Sequence, residues 1–425
     1  MKSLWSDQEA QRLTHNLEGA ERDLALRVYT SRLIGSDPDL VLHGGGNTSA
    51  KSALQDGDQD IPVMFIKGSG WDLGTIQAPG LPAVRLEPLL EKRHVDRMDD
   101  REMVRFLRAN LLDQSAPTPS VEALLHAFLP AKFVDHTHAT ASLVLANQPN
   151  AAEIARSIFE GRLAIVPYVM PGFDLSIAGD KVFAAAPPQT EGLFLVNHGI
   201  FTVGEDARTA YERMIEFTTL CERHLADHRI VVPGPETSRP PESAAIRFKD
   251  ALRGALADIG GLFAEKVALD YRSTPSILTY SMLENLEEIT SRGTVTPDHV
   301  IRIKPFPLIA PADASRTELV RALEEYAQRY TGYFERNAKN ATEPKVILDP
   351  LPRVVIVPGV GLFGLGSNSK AAAIAGDLAE QTARIVLAAE AYGRFTPISE
   401  QDLFDMEYWS LEQAKLQKDK SVKAA

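Results

Sequence analysis

Phe133-Val134-Asp135-His136-Thr137-His138 reads as a β-strand, and the two-residue period of the pleat puts both of its histidines on one face. Two imidazoles side by side on a strand have the spacing that two facial ligands of a metal ion need. Helical patterns flank this strand, from Ser120 to about Leu129 before it and from Ala139 to Asn147 after it. Further out, Leu193-Phe194-Leu195-Val196-Asn197 is a second strand pattern, followed at once by His198 and Gly199, so a third imidazole stands at a strand end. A lone histidine is more often a packed residue satisfied by a hydrogen bond. Three together leave one coordination position open, as a catalytic zinc requires and a structural zinc does not.

Residues 7–35 have helical spacing and lead into a Gly/Asn/Thr/Ser turn at 44–49. A strand pattern follows at 63–66, a helix at 101–112, and a helix that Asp206 caps and that runs to about His228. Strands alternating with helices predict a layered α/β/α domain over residues 1–231. Residues 232–241 carry four prolines and read as a linker. Beyond them, helices near 243–257, 280–291, 316–338 and 370–391 alternate with strand candidates at 266–270, 299–304, 345–348 and 353–357. Residues 242–425 are therefore expected to form a second, smaller α/β domain with a Gly-rich turn and a C-terminal helical tail.

Bulk properties agree with two globular domains, since single cores stop growing near about 250–300 residues and this chain has 425, with 44% hydrophobic residues. Its 57 acidic against 45 basic side chains give a net charge of −12, which repels phosphate backbones and anionic lipid and speaks against nucleic-acid or membrane partners. The single cysteine, Cys221, allows no internal disulfide. The start turns acidic before an apolar core develops, and no apolar run approaches the roughly 18 residues of a membrane span, so the expected location is the cytoplasm.

Glu122 lies in Thr118-Pro119-Ser120-Val121-Glu122, with Ser120 as N-cap and Glu122 in the first helical turn. Its ordinary role there is to complement the helix dipole. Its chemical role is that of a carboxylate which either ligates the metal or moves a proton as general acid and base. His126, four residues on, shares that helix face and suits support of the site or packing. Two loops favour an anion: His43-Gly44-Gly45-Gly46-Asn47-Thr48-Ser49, with consecutive flexible amides and hydroxyls, and Lys67-Gly68-Ser69-Gly70, which adds a cation. Ser120 supplies a further donor.

Taken together, GGGNTS at 44–49, KGSG at 67–70, PSVE at 119–122, HTH at 136–138 and NHG at 197–199 resemble the class II aldolase/adducin family over residues 20–230. That resemblance implies a divalent metal, zinc above all with manganese or cobalt as alternatives, on His136, His138 and His198, with Glu122 beside them. It implies acid/base work for Glu122, and proton donation by Tyr168, the match to a tyrosine that some members use downstream of the H-x-H strand. Gly46, Asn47, Lys67, Gly68, Ser69, Gly70 and Ser120 would meet the substrate or its phosphate. The implied reaction is retro-aldol cleavage of a ketose or ketose phosphate, the open metal site chelating carbonyl and hydroxyl oxygens and stabilising an enediolate. Epimerisation, decarboxylation or dehydration through the same intermediate, or a non-catalytic adducin-like module, are the alternatives. The family also suggests a homo-oligomer, commonly a tetramer. Many phosphate-using members carry a second serine where this chain has Val121.

Residues 231–425 resemble the later part of a longer subfamily, in which the aldolase part is fused to a short-chain dehydrogenase, as in bifunctional rhamnulose-phosphate aldolase/dehydrogenase proteins. The matching phrases are Pro297-Asp298-His299, Lys304-Pro305-Phe306-Pro307, Pro358 to Gly364 and Phe404 to Glu412. The chain stops soon after the last, so no dehydrogenase activity is expected of it. Gly359-Val360-Gly361-Leu362-Phe363-Gly364 does satisfy G-x-G-x-x-G between a strand pattern and a helix. The second strand with an acidic end is lacking, so NAD is not expected, and a strand-to-helix turn or an anion site is the preferred reading.

Overall fold

A computed structural model describes residues 1–57, 59–263 and 266–409 of the chain. The chain divides into two compact units, one of Met1–Ala146 with Asn150–Arg229, the other of Asn147–Pro149 with the residues from Ile230 on.

The first unit is built on seven strands: β1 (Asn47–Asp56), β2 (Gln59–Ile66), β3 (Ala83–Arg85), β4 (Phe133–Thr137), β5 (Leu163–Val166), β6 (Gly192–Leu195) and β7 (Gly199–Gly204). Their order in the sheet is β3-β2-β1-β4-β7-β6-β5, with every neighbour antiparallel except the parallel pair β5 and β6. Alternation along β4 explains the layering. Val134 points into an apolar cluster with Leu125, Leu129, Leu175, Phe201 and Val203 on one face. Phe133 points the other way, onto Ala207 and Ala210 at the start of the helix Ala207–Asp227. Helices Ala123–Phe128 and Phe173–Ala184 thus lie on one face, Gly19–Gly35 and Ala207–Asp227 on the other, as an α/β/α sandwich.

Asp135 shares the second face with Phe133 and Thr137. There it forms an ion pair with Arg27 at 2.6 Å, both side chains fully buried. Burial raises the Asp135 pKa and lowers that of Arg27, and each charge offsets the other's desolvation. Arg27 also donates to the Ser49 carbonyl of β1 at 3.2 Å. One side chain of the Gly19–Gly35 helix therefore ties two central strands together from behind.

Several expectations need correction. The pattern at 7–35 is two helices, Asp7–Leu13 and Gly19–Gly35, parted at Asn16, whose φ is +62°. The helix before β4 covers only Ala123–Phe128, because Ser120 is engaged with the neighbouring loop through its amide, 2.9 Å from the Lys67 carbonyl. Asp206 does cap its helix, accepting from the Thr209 amide at 2.8 Å.

The second unit has four strands, β8 (Ala268–Arg272), β9 (Leu308–Ile309), β10 (Val354–Val357) and β11 (Gly361–Gly366), in the order β8-β11-β10-β9. Its core joins Val355, Val357 and Phe363 to Phe248, Leu252, Leu319, Leu323, Tyr326 and Tyr330 of the helices Ser243–Ile259 and Arg316–Ala338. Here the expected strand at 299–304 is a helix, Pro297–Ile303: Thr296 caps it by accepting from the His299 amide, and Pro297 presets its first turn. The expected strand at 345–348 has no strand pairing. The helix expected at 280–291 is two short ones, Pro275–Ser281 and Leu286–Ser291. The G-x-G-x-x-G segment is a β-hairpin, since Gly361 opens β11, which runs antiparallel to β10 with Val357 opposite Gly361. Its glycines serve packing. A Cβ on Gly364 would stand 2.6 Å from the amide nitrogen of Gly376, in the helix Ser369–Tyr392. The Pro-rich stretch at 232–241 has neither helix nor strand. It lies along its own unit, with Glu236 accepting from the Ser276 amide at 2.9 Å and Ser238 from the Ser273 amide at 2.7 Å.

Candidate metal centre

Three elements bring the histidines together. His136 is the fourth residue of β4, opposite Phe201 of β7, and His138 follows that strand on the same face. His198 sits in the tight turn between β6 and β7, where Asn197 takes a φ of +57°. The turn, rather than a strand end, presents the third ring. Gly199 makes room for it, because a Cβ there would come 2.3 Å from the Thr137 carbonyl oxygen and 3.2 Å from Cε1 of His136. All three rings are buried, and one potential ligand atom from each lies within 4.8 Å of the others.

The protonation states suit a metal. Burial pushes His136 and His198 well below the ordinary imidazole pKa, so both are neutral. His136 donates from Nδ1 to the Ile200 carbonyl at 3.0 Å, which leaves the Nε2 lone pair facing the cluster. Nε2 of His136 and Nε2 of His138 are 3.0 Å apart. Nitrogens bound to one tetrahedral zinc at ordinary bond lengths stand about 3.3 Å apart, so the two rings converge as co-ligands do. Phe201 stacks on His136 at 4.1 Å and 15°, fixing the ring plane.

Glu122 completes the group. Its Oε2 lies 3.6 Å from Nε2 of His136 and its Oε1 lies 3.6 Å from Nε2 of His198. The residue stands just before the helix Ala123–Phe128 rather than within its first turn, and its own amide lies 3.3 Å from Ser120 Oγ. Asn47, read as an anion ligand, instead donates from Nδ2 to Glu122 Oε2 at 2.6 Å. His126 is fully buried and meets Asn47 Oδ1 through Nε2 and Ser49 Oγ, at 2.7 Å, through Nδ1. Sequence reasoning placed His126 near the site but missed its link to Asn47. It also missed Phe201, which no motif marks.

The two glycine-rich loops are joined to one another and to the segment before Glu122. The amide of Lys67 donates to the Thr48 carbonyl at 3.1 Å, that of Gly68 to Gly80 at 2.8 Å, that of Ser69 to Thr118 at 2.7 Å and that of Ser120 to Lys67 at 2.9 Å. The amides of Lys67, Gly68, Ser69 and Ser120 are thus engaged within the protein. What the loops offer is side chains: Ser69, Ser120 and Lys67, whose Nζ lies 3.5 Å from the Gly44 carbonyl. Gly46 is needed for close packing, since its φ is +70° and a Cβ would fall 2.5 Å from the His136 carbonyl oxygen. Gly70 takes a φ of +88° with open space where a Cβ would stand. Tyr168 follows β5, whose last residue, Val166, pairs with Leu195 three residues before His198.

Two family models match this chain. The class II aldolase and adducin N-terminal domain matches residues 26–225, and the second domain of class II aldolases matches residues 243–416. The chain belongs to the class II aldolase and adducin family. It is 32% identical over 432 residues to the uncharacterized oxidoreductase YuxG of Bacillus subtilis (strain 168), covering 98% of this chain and 60% of that protein. The chain thus spans about 60% of the length of that curated relative. The N-terminal class II aldolase domain of a conserved Thermoplasma acidophilum protein is 37% identical, with 53% of this chain and 99% of that one covered and a TM-score of 0.47. For L-fuculose-1-phosphate aldolase from Thermus thermophilus the figures are 17%, 48%, 96% and 0.32. Class II aldolases use a divalent metal, and this member of the family carries a buried group of three histidines that could hold one.

Proposed function

We propose that this family member is a metal-dependent lyase that cleaves a carbon–carbon bond beside a carbonyl, with a ketose or ketose phosphate as substrate. One observation carries the reading: three buried imidazoles converge, with both oxygens of one carboxylate 3.6 Å from two of them. His136, His138 and His198 would hold the ion, and when bound it supplies Lewis acidity toward the substrate carbonyl. In this reading Glu122 takes the proton from the substrate hydroxyl whose carbon–carbon bond breaks, and returns a proton afterwards. Tyr168, beyond the end of β5, is the candidate to deliver the one proton that the carbon of the other fragment needs, its own being replaced by the proton Glu122 took up. Ser69, Ser120 and Lys67 supply donors for an anionic or hydroxylated end of the substrate. Burial of the site excludes water and strengthens each of these interactions.

The experiment is elemental analysis of the purified protein, followed by a screen of free and phosphorylated ketoses with product identification by NMR. About one equivalent of zinc, manganese or cobalt, with aldehyde release that chelation abolishes, is expected. Full turnover by metal-free protein would sink the proposal. An epimer, a decarboxylated product or a dehydrated one would move the assignment to the other reactions run by such sites.

A further inference from the structure

We infer that His126 is a positioning residue, which through Asn47 sets the orientation of the Glu122 carboxylate beside the three histidines. The inference rests on the reading of Glu122 as the group that works next to the metal.

Hydrogen-bond chemistry fixes the direction of the chain. An ionised carboxylate only accepts, so the atom of Asn47 that lies 2.6 Å from Glu122 Oε2 is its amide nitrogen. Asn47 Oδ1 then faces His126, and because that oxygen only accepts, His126 must carry its proton on Nε2. Nδ1 is left as the acceptor, and the Ser49 hydroxyl donates to it at 2.7 Å. The ring is further located by Phe201, edge-on at 5.3 Å and 63°, the same ring that stacks on His136. Asn47 itself belongs to β1 directly opposite His136 of β4. Ser49 and Asn47, two residues apart on one strand, therefore hold one imidazole between them. That imidazole prevents the Asn47 amide from turning its oxygen toward the carboxylate. With Oε2 so held, Oε1 is directed at His198. Removing the Nε2–H donor frees the amide to rotate.

The test separates donation from bulk. In His126→Gln the amide nitrogen reaches the place of Nε2 and can still donate to Asn47; in His126→Asn it reaches only the place of Nδ1. Co2+ is the probe, bound to the metal-free full-length chain and followed by its visible absorption bands and by competition with a chelator. His126→Gln is expected to keep the native spectrum and affinity. His126→Asn is expected to shift the bands and to weaken Co2+ binding about tenfold, in the range known for outer partners of metal ligands. Asn47→Ala should match His126→Asn, and the double variant should lose no more than either single one. Equal behaviour of the two His126 variants, or additive losses, would overturn the inference. Independently of folding in any variant, long-range 1H–15N correlations of the metal-free native protein should show His126 as the Nε2–H tautomer. The Nδ1–H tautomer would overturn it too. Because that readout needs neither metal nor substrate, it stands even if the lyase assignment fails.

Discussion

At Gly199 a single hydrogen atom in place of a side chain decides whether the site exists. A methyl group there would press on the Thr137 carbonyl and on the His136 ring at once, with contacts of 2.3 Å and 3.2 Å. The backbone contact cannot be relieved by a rotamer change, so the β6–β7 turn must shift and carry His198 away. Gly199→Ala is expected to destabilise the protein by about 1–3 kcal/mol, the usual cost of overpacking a core, and to lower bound metal well below one equivalent. Thermal unfolding with elemental analysis checks both. His198→Ala, by contrast, should lower bound metal while its metal-free form unfolds near the temperature of the metal-free native protein, because it removes a proposed ligand without forcing backbone. At this scale the sequence was informative where chemistry repeats locally. His136 and His138 are legible because the pleat alone puts them together. The bond from Asn47 to Glu122 was not legible because its partner lies 75 residues away in sequence, brought near by strand register that no local pattern states. Phe201 was invisible for the same reason.

The strands carry the next level of argument. β1 and β4 are joined behind the site by Arg27 and Asp135, and β1 is fastened at its middle by Lys51, which donates to the Leu129 carbonyl and to that of Ala131 at 3.0 Å. These carbonyls follow the Glu122 helix, so Lys51 anchors the exit of the segment that bears the carboxylate. Burial lowers the Lys51 pKa to about 7, and a neutral amine still donates both hydrogen bonds. The sign follows from proton counting. Between about pH 7 and the unfolded value near 10.5, the unfolded chain binds the proton and the folded chain does not, so stability rises with pH across that window. Below pH 7 both states are charged and the full burial penalty applies. The melting temperature of the native protein should therefore gain on that of Lys51→Met between pH 7 and pH 10, and the gap should be flat below pH 7. A gap independent of pH would show that the amine is charged throughout. Elements were legible where a local pattern marked them, as the apolar run Val63-Met64-Phe65-Ile66 marks β2 and the H-x-H spacing marks β4. β7 and β11 were not, because each opens on glycine and their central residues, Phe201-Thr202-Val203 and Leu362-Phe363, are too few to separate a strand from a turn. At 299–304, β-branched residues suggested a strand, yet the cap at Thr296 and the proline after it set a helix.

Over the whole molecule, two compact units were expected from length alone, but the interior of the second was not foreseen. Lys304 of the K-P-F-P phrase and Glu407 of the C-terminal F-D-M-E-Y-W phrase, more than a hundred residues apart, meet inside it. Their side chains are 5% and 1% exposed, with Lys304 Nζ 3.5 Å from Glu407 Oε1 and 3.6 Å from the centre of the Tyr330 ring. Tyr330 donates to the same carboxylate oxygen at 2.7 Å, and its hydroxyl meets that of Tyr408 at 2.7 Å. Lys304 also holds a φ of +65°, a conformation an L-residue with a long side chain adopts rarely, so the tertiary contacts outweigh a local backbone cost. Burial raises the Glu407 pKa and lowers that of Lys304 to about 8, the opposing charge acting against both shifts. Such a pair is not a net source of stability compared with apolar residues of equal volume, but breaking it leaves one charge without its partner in the interior. Lys304→Met alone is thus expected to cost about 3–5 kcal/mol, as is the usual result for removing one partner of a buried pair. Lys304→Met with Glu407→Gln should recover most of that loss, because the remaining amide can still accept from Tyr330 without carrying a charge. Denaturant unfolding of the single and double variants measures both quantities. Because the pair lies wholly within the second unit, Co2+ binding at the three histidines of the first should stay within a factor of two of the native value in the folded variants. Equal losses in the single and double variants would show that the Lys304 stem, through its packing on Tyr330, matters more than its charge.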